Sequence, residues 1–314
     1  MRPRDQQLAA RLDAALQAYA ERERPLPGIV DEDARKVFIE QLLESIHRVE
    51  FVAVVRAQDI SARRGDPDDE MLFEPLRAAI LQQRSGNTEE AYWLVFLFVH
   101  FGKNAKGGWR YVREIYGKLG QGGRWNWASV SADPAGFRSW LYQNLGALKR
   151  DGVPGGFGNH RKYQSLDAYS ATGTGATVES YVRWVDPPRT HAEMVENAQN
   201  RADADPRRAF DLLNRSMKVV TGFGRTGRFD YLTMLGKLGL AHIVPGSTYL
   251  AGATGPREGA RLLFGDNAQP PQSSRTLENW LVELDSYLNV GMQVLEDALC
   301  NWQKSPQRFI RFRG

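Results

Sequence analysis

A glycine-rich turn between two predicted helices is the clearest candidate for chemistry in this sequence. It lies within residues 206–239 and reads Gly222-Phe223-Gly224. Glycine permits a positive φ and leaves backbone amides unshielded at the start of the next helix, where the helix dipole favours an anion. We therefore predict that this hairpin binds DNA phosphates. Its predicted contacts are Gly222, Phe223, Gly224, Arg225, Thr226 and Arg228.

A second polar cluster follows a glycine-rich stretch in the middle of the chain. It consists of Asn159, His160, Arg161, Lys162 and Tyr163. Asn and Arg offer paired hydrogen bonds to base edges, Lys and Arg bind phosphates, and Tyr offers a stacking face that can fill the gap left by a flipped base. We predict that these five residues also contact DNA.

Positive charge is concentrated around both candidates. Residues 101–165 carry 11 Lys and Arg against 3 Asp and Glu, and residues 215–261 carry 7 against 2. Residues 1–100 are acidic instead, with 13 against 18. Clustered Lys and Arg displace the counterions of nucleic acids, so the pattern indicates double-stranded DNA as the partner.

Other classes of protein are disfavoured by composition. The only cysteine is Cys300, and the five histidines lie far apart, so we expect no disulfide, no metal site and no cofactor. The longest apolar run is too short for a membrane span, and the first residues lack the apolar core of a signal peptide. We expect a cytoplasmic monomer that does not bind membranes.

The apolar pattern predicts a mainly α protein. The run from Thr88 to Phe101 is apolar on all sides, which is typical of a central buried helix. Asp31, Asp66 or Pro67, and Asp133 mark helix starts, and a single helical stripe covers residues 276–302. We predict an N-terminal helical region over residues 1–88, packed on a core domain over 89–314. The expected core residues include His100, Trp109, Trp125 and Trp127.

Several segments resemble a known family. They are FLFVHFGKN, GGWRYVREIYGKLG, PGGFGNHRKYQSL, GTGATVESYVRWVD and GFGRTGRFDYLTMLGKLGL, and together they span roughly residues 90–265. In these segments the chain resembles the alpha-glutamyl/putrescinyl thymine pyrophosphorylase family, clade 3, a group linked to hypermodified phage DNA. The hairpin is also similar to that of the helix-hairpin-helix DNA glycosylases. That resemblance implies an all-α, two-lobed fold with its active site between the lobes.

The glycosylase resemblance implies a catalytic carboxylate, because cleavage of an N-glycosidic bond develops positive charge on the sugar. The superfamily places an Asp beyond the hairpin, where this chain instead reads His242-Ile243-Val244-Pro245. It also carries Thr226 where bifunctional members have a lysine. Candidate carboxylates are therefore Asp230, which follows Phe229 on the hairpin helix, then Glu258 and Asp186, with Asp211 and Asp266 in reserve.

Three functions follow from these features. The first is a monofunctional DNA glycosylase that flips out and excises a bulky modified pyrimidine, such as a glucosylated hydroxymethyl base, from phage DNA in antiphage defence, leaving an abasic site. The second takes the family name literally and displaces pyrophosphate from an activated 5-hydroxymethyl pyrimidine in DNA with an amine or amino acid. The third is a non-catalytic DNA-binding module whose active site has decayed.

Overall fold

The computed structural model describes residues 3–265 and 271–311, and these residues are mainly helical, with no β-strand among them. An isolated antiparallel bridge joins Asn104 and Gly108. The helices are α1 Pro3–Arg22, α2 Glu32–Ala57, α3 Pro75–Arg84, α4 Thr88–Phe101, α5 Arg110–Tyr116, α6 Trp127–Ala132, α7 Pro134–Gln143, α8 Leu145–Leu148, α9 Thr174–Val185, α10 His191–Arg201, α11 Pro206–Ser216, α12 Arg225–Leu238, α13 Gly255–Phe264, α14 Ser274–Leu288 and α15 Met292–Trp302.

One compact unit combines the two ends of the chain, residues 1–54 and 245–313. Its apolar core is built by α1, α2, α13, α14 and α15. Phe38 packs edge-on against Trp302, with their ring centroids 4.9 Å apart, and Arg48 pairs with Asp297 at 2.9 Å. The two ends of the chain thus share one core.

The other compact unit comprises residues 55–244 and is organised around α4. Every residue from Glu90 to Phe101 except Phe98 is buried in this helix, which packs against α3, α5, α6, α10 and α12. Phe96 stacks on Tyr181, with their ring centroids 3.8 Å apart. The apolar run therefore forms the central buried helix predicted from the sequence.

Helix boundaries show where local sequence signals hold and where they fail. The predicted range of α4 is confirmed, and Asp133 caps α7 by accepting a hydrogen bond from the Gly136 amide. The helix predicted from Asp66 or Pro67 instead begins at Pro75, because Glu74 caps it. The stripe over residues 276–302 forms two helices, since Asn289 and Gly291 have φ of +49° and +89°.

His100 is a core residue, as predicted. Its Nε2 lies 3.0 Å from the Thr174 hydroxyl, and its ring stacks near Phe223. Burial and then the nearby charge of Arg161 lower the pKa of His100 from 6.5 to about 3. The native state therefore holds this imidazole neutral, while the unfolded chain takes up a proton below pH 6.5.

This difference predicts acid destabilisation through His100. Because only the unfolded state binds the proton, the free energy of unfolding should fall by about 1.4 kcal/mol per pH unit as pH drops below 6.5. In His100→Phe, the loss between pH 7 and pH 5 should be smaller than in the wild type by about 2 kcal/mol. Urea unfolding followed by tryptophan fluorescence measures this. An identical pH dependence in both proteins would show that His100 is not held neutral.

Candidate active site

The predicted hairpin is present as α11, a short turn and α12. Phe223 is buried and stacks on Phe96 of α4, with their ring centroids 5.0 Å apart. Arg228 donates to the Phe223 carbonyl at 2.9 Å and to Asn214 at 3.3 Å. Phe223 and Arg228 therefore hold the turn together, while Thr226 and Gly224 are exposed and Arg225 is half-buried at the start of α12.

An ion pair joins the hairpin to the second predicted cluster. Arg161 donates from Nη2 to Asp230 Oδ2 at 3.0 Å, and from Nε to the Val99 carbonyl at 2.8 Å. Its side chain is only 8% exposed, so it lies beneath the surface. A direct DNA contact, as predicted from the sequence, would require an exposed side chain. Arg161 therefore anchors Asp230 to the end of α4.

Close backbone packing explains why this cluster lies against the hairpin. The Gly158 amide donates to the Phe101 carbonyl at 2.7 Å, and Asn104 donates to the Phe157 carbonyl at 3.1 Å. A Cβ at Gly158 would lie 2.9 Å from the Gly102 carbonyl carbon, so only glycine fits there. The end of α4 thus fixes the turn Asn159–Arg161 beside α12.

Asp230 lies among several positive charges. Burial raises the pKa of its carboxyl, and the charges of Arg161, His160, Arg225 and Lys237 oppose this effect in that order. The side chain is nonetheless 45% exposed. A carboxyl with this exposure is reached by water and can contact a ligand.

The structure therefore brings together Asp230, the polar cluster and the start of α12. The sequence did not identify Lys237 as a neighbour of Asp230, although the spacing of seven residues puts both on one face of a helix. Within the polar cluster, Asn159, His160 and Lys162 are exposed, and Tyr163 is 89% exposed. These four side chains stay candidates for DNA contacts.

The structure describes three of the four other candidate carboxylates. Asp186 is exposed and lies at the C-terminal end of α9. The N-terminal end of this helix contacts the segment that follows Arg161, because the Thr174 amide donates to the Ser165 carbonyl. Glu258 belongs to the unit formed by the chain ends and pairs with Arg261 at 3.1 Å. Asp211 pairs with Arg215 on its own helix, and Asp266 lies outside the described residues.

Metal ligands and apolar helices are the features that a metal site and a membrane span would need. Within residues 3–265 and 271–311, no group of three His, Cys, Asp or Glu side chains is placed to hold a metal ion. Among the same residues, no helix combines the length and apolar character that a membrane span requires.

The two hairpin glycines differ in how well they tolerate a substitution that would test DNA binding. Gly222 has φ of +74°, and a Cβ there would lie 2.9 Å from two polar side chains, so its substitution disturbs packing. Gly224 precedes α12 and would place a Cβ in open space. Since Asp and Ser are both good N-caps, Gly224→Asp and Gly224→Ser should fold equally well.

We expect Gly224→Asp to bind duplex DNA about tenfold more weakly than Gly224→Ser, because its charge opposes a phosphate at the helix start. Fluorescence anisotropy at one fixed salt concentration measures the difference. Equal affinities would remove the start of α12 from the DNA interface.

Comparisons with known proteins identify the family. Comparison with curated proteins and with solved structures gives no match. The family model described as alpha-glutamyl/putrescinyl thymine pyrophosphorylase clade 3 matches residues 33–314, which include the whole candidate site. The chain therefore belongs to the alpha-glutamyl/putrescinyl thymine pyrophosphorylase family, clade 3.

Proposed function

We propose that this protein modifies a pyrimidine in DNA by displacing pyrophosphate from its activated 5-hydroxymethyl group with an amine. Two lines of support favour this function over base excision: the family to which the chain belongs, and the surroundings of Asp230. The observation that carries the proposal is the partly exposed carboxylate of Asp230, on which the charges of four basic side chains act.

The surplus of positive charge suits the leaving group. Pyrophosphate departs with several negative charges, and preorganised cations stabilise such charge as it develops. Arg161 pairs with Asp230. His160 is exposed, and Arg225 is half-buried at the start of α12, whose backbone amides also favour an anion. The site therefore has the charge to hold a phosphorylated base and to take up pyrophosphate.

Asp230 has the properties of a general base for the amine. In the proposed step, the amine nitrogen forms a bond to the exocyclic methylene carbon, and the bond from that carbon to the pyrophosphate oxygen breaks. Its electron pair leaves with pyrophosphate, and Asp230 takes the proton lost by the amine. Burial raises the pKa of Asp230, which makes its ionised form a stronger base than an ordinary aspartate.

Base excision is the second candidate, and the hairpin favours it. The α11–turn–α12 arrangement, with the start of α12 open at Gly224, suits a grip on the DNA backbone while a base is flipped. Asp230 would then stabilise the positively charged sugar. This candidate predicts abasic sites, whereas displacement predicts pyrophosphate and an intact sugar–base bond.

The deciding experiment uses duplex DNA carrying 5-pyrophosphorylmethyl-uracil, with and without added amines and amino acids. We expect amine-dependent release of pyrophosphate and no abasic sites. Abasic sites without pyrophosphate release would establish the glycosylase. In that case Thr226, which has no amine to attack the sugar, predicts no borohydride-trapped adduct. DNA binding with neither product would leave the non-catalytic module.

Replacing Asp230 tests its assigned role. Asp230→Asn should lower the rate of turnover about 100- to 1000-fold, because a preorganised group acts in the transition state, while DNA affinity should be unchanged or higher. Glu258→Gln and Asp186→Asn are the matched controls and should retain full activity. In the wild type, the rate should fall as pH drops through the raised pKa of Asp230. Full activity of Asp230→Asn would show that another group acts as base.

A further inference from the structure

A groove of about 730 Å³ lies in the unit formed by residues 55–244, and neither the family nor the proposed chemistry assigns it a role. This volume lies within the range of small-ligand sites. Its lining is unusually basic, with six Lys or Arg against two Glu. The basic residues are Arg64, Arg77, Lys103, Lys106, Arg110 and Arg113.

The two acids of the groove are occupied by structural contacts. Glu74 caps α3 and pairs with Arg77 at 2.9 Å, while Glu70 pairs with Arg113 at 2.9 Å. Arg110 is buried and bonds to Glu114 and to backbone carbonyls. These contacts neutralise the acids and engage three of the six cations.

Three cations remain for a ligand. In the part of the chain that the structure describes, Arg64, Lys103 and Lys106 form no ion pair with an acid. Both lysines are exposed, and Arg64 is half-buried. The groove therefore carries uncompensated positive charge, which attracts a ligand with more than one negative charge.

Trp109 gives the groove an aromatic wall. We predicted it as a core residue with Trp125 and Trp127, which are indeed buried, but Trp109 is half-buried and lines the groove. Its indole packs on Phe98, with their ring centroids 4.8 Å apart, which holds the ring in place. An indole supported in this way is a platform on which a nucleobase can stack.

The groove adjoins the candidate active site. Lys103 follows Gly102, where a Cβ would lie 3.2 Å from Gly158 Cα and 3.5 Å from Arg161 Cγ. Pro154, from the loop that leads to Arg161, is also part of the groove wall. Two segments of the groove wall therefore lead directly into the cluster that contains Arg161, the partner of Asp230.

We infer that this groove binds a nucleotide, with its base on the Trp109 indole and its phosphates on Arg64, Lys103 and Lys106. On the basis of the proposed function, we infer that this nucleotide is part of the DNA substrate and lies next to the modified base. The chemistry of recognition is the same for a free nucleotide, so the test must separate the two sources.

Binding of unmodified nucleic acid tests the inference independently of catalysis. The probes are a short single-stranded oligonucleotide and thymidine triphosphate, each titrated against the full chain. Lys103→Ala/Lys106→Ala removes two exposed charges and should fold normally. Lys149→Ala/Arg207→Ala removes the same charge from exposed positions outside the groove and is the matched control. Trp109→Leu tests stacking.

We expect the double lysine variant to bind the oligonucleotide about tenfold more weakly than the control, with a salt slope shallower by about 1.4. Trp109→Leu should weaken binding about 5- to 100-fold with an unchanged salt slope. Loss of triphosphate binding alone would support nucleotide recognition and overturn the assignment to DNA. If the double lysine variant binds both probes like the control, the inference is wrong, whatever the outcome of the pyrophosphate assay.

Discussion

The ion pair between Arg161 and Asp230 is the interaction on which the candidate site depends. Arg161 is buried and bonds to the end of α4, so it places Asp230 on α12 in a fixed position relative to the turn Asn159–Arg161. Removing one partner of such a pair leaves an uncompensated charge, which is costly where burial is deep. The pair thus joins three separate segments of the chain into one site.

Positive charge around that pair connects the fold to the proposed chemistry. Asp230 is a single acidic side chain, whereas several basic side chains, from the turn Asn159–Arg161 and from α12, act on it. The groove beside Gly102 extends the same excess of charge and adds an aromatic surface. A substrate with phosphates on both sides of a reacting base fits this distribution, and a neutral small molecule does not.

The sequence predicted those parts of the structure that local patterns determine. The apolar run of α4 and the glycine turn before α12 are found, and Asp230, the first candidate carboxylate, pairs with Arg161 of the second predicted cluster. Burial of Arg161 was not predicted, because the loop before it has no periodicity. The groove was missed as well, since it combines the segment before α3, the start of α5 and Pro154, which lie far apart in the sequence.

The central claim is that the base stays on the DNA while its 5-substituent is exchanged at Asp230. The most direct measurement is mass spectrometry of the nucleosides released from the product DNA after reaction with an isotopically labelled amine. We predict a thymidine derivative that carries the label on its 5-methylene group, formed by the wild type and not by Asp230→Asn. A free modified base together with abasic DNA would contradict the claim and establish excision instead.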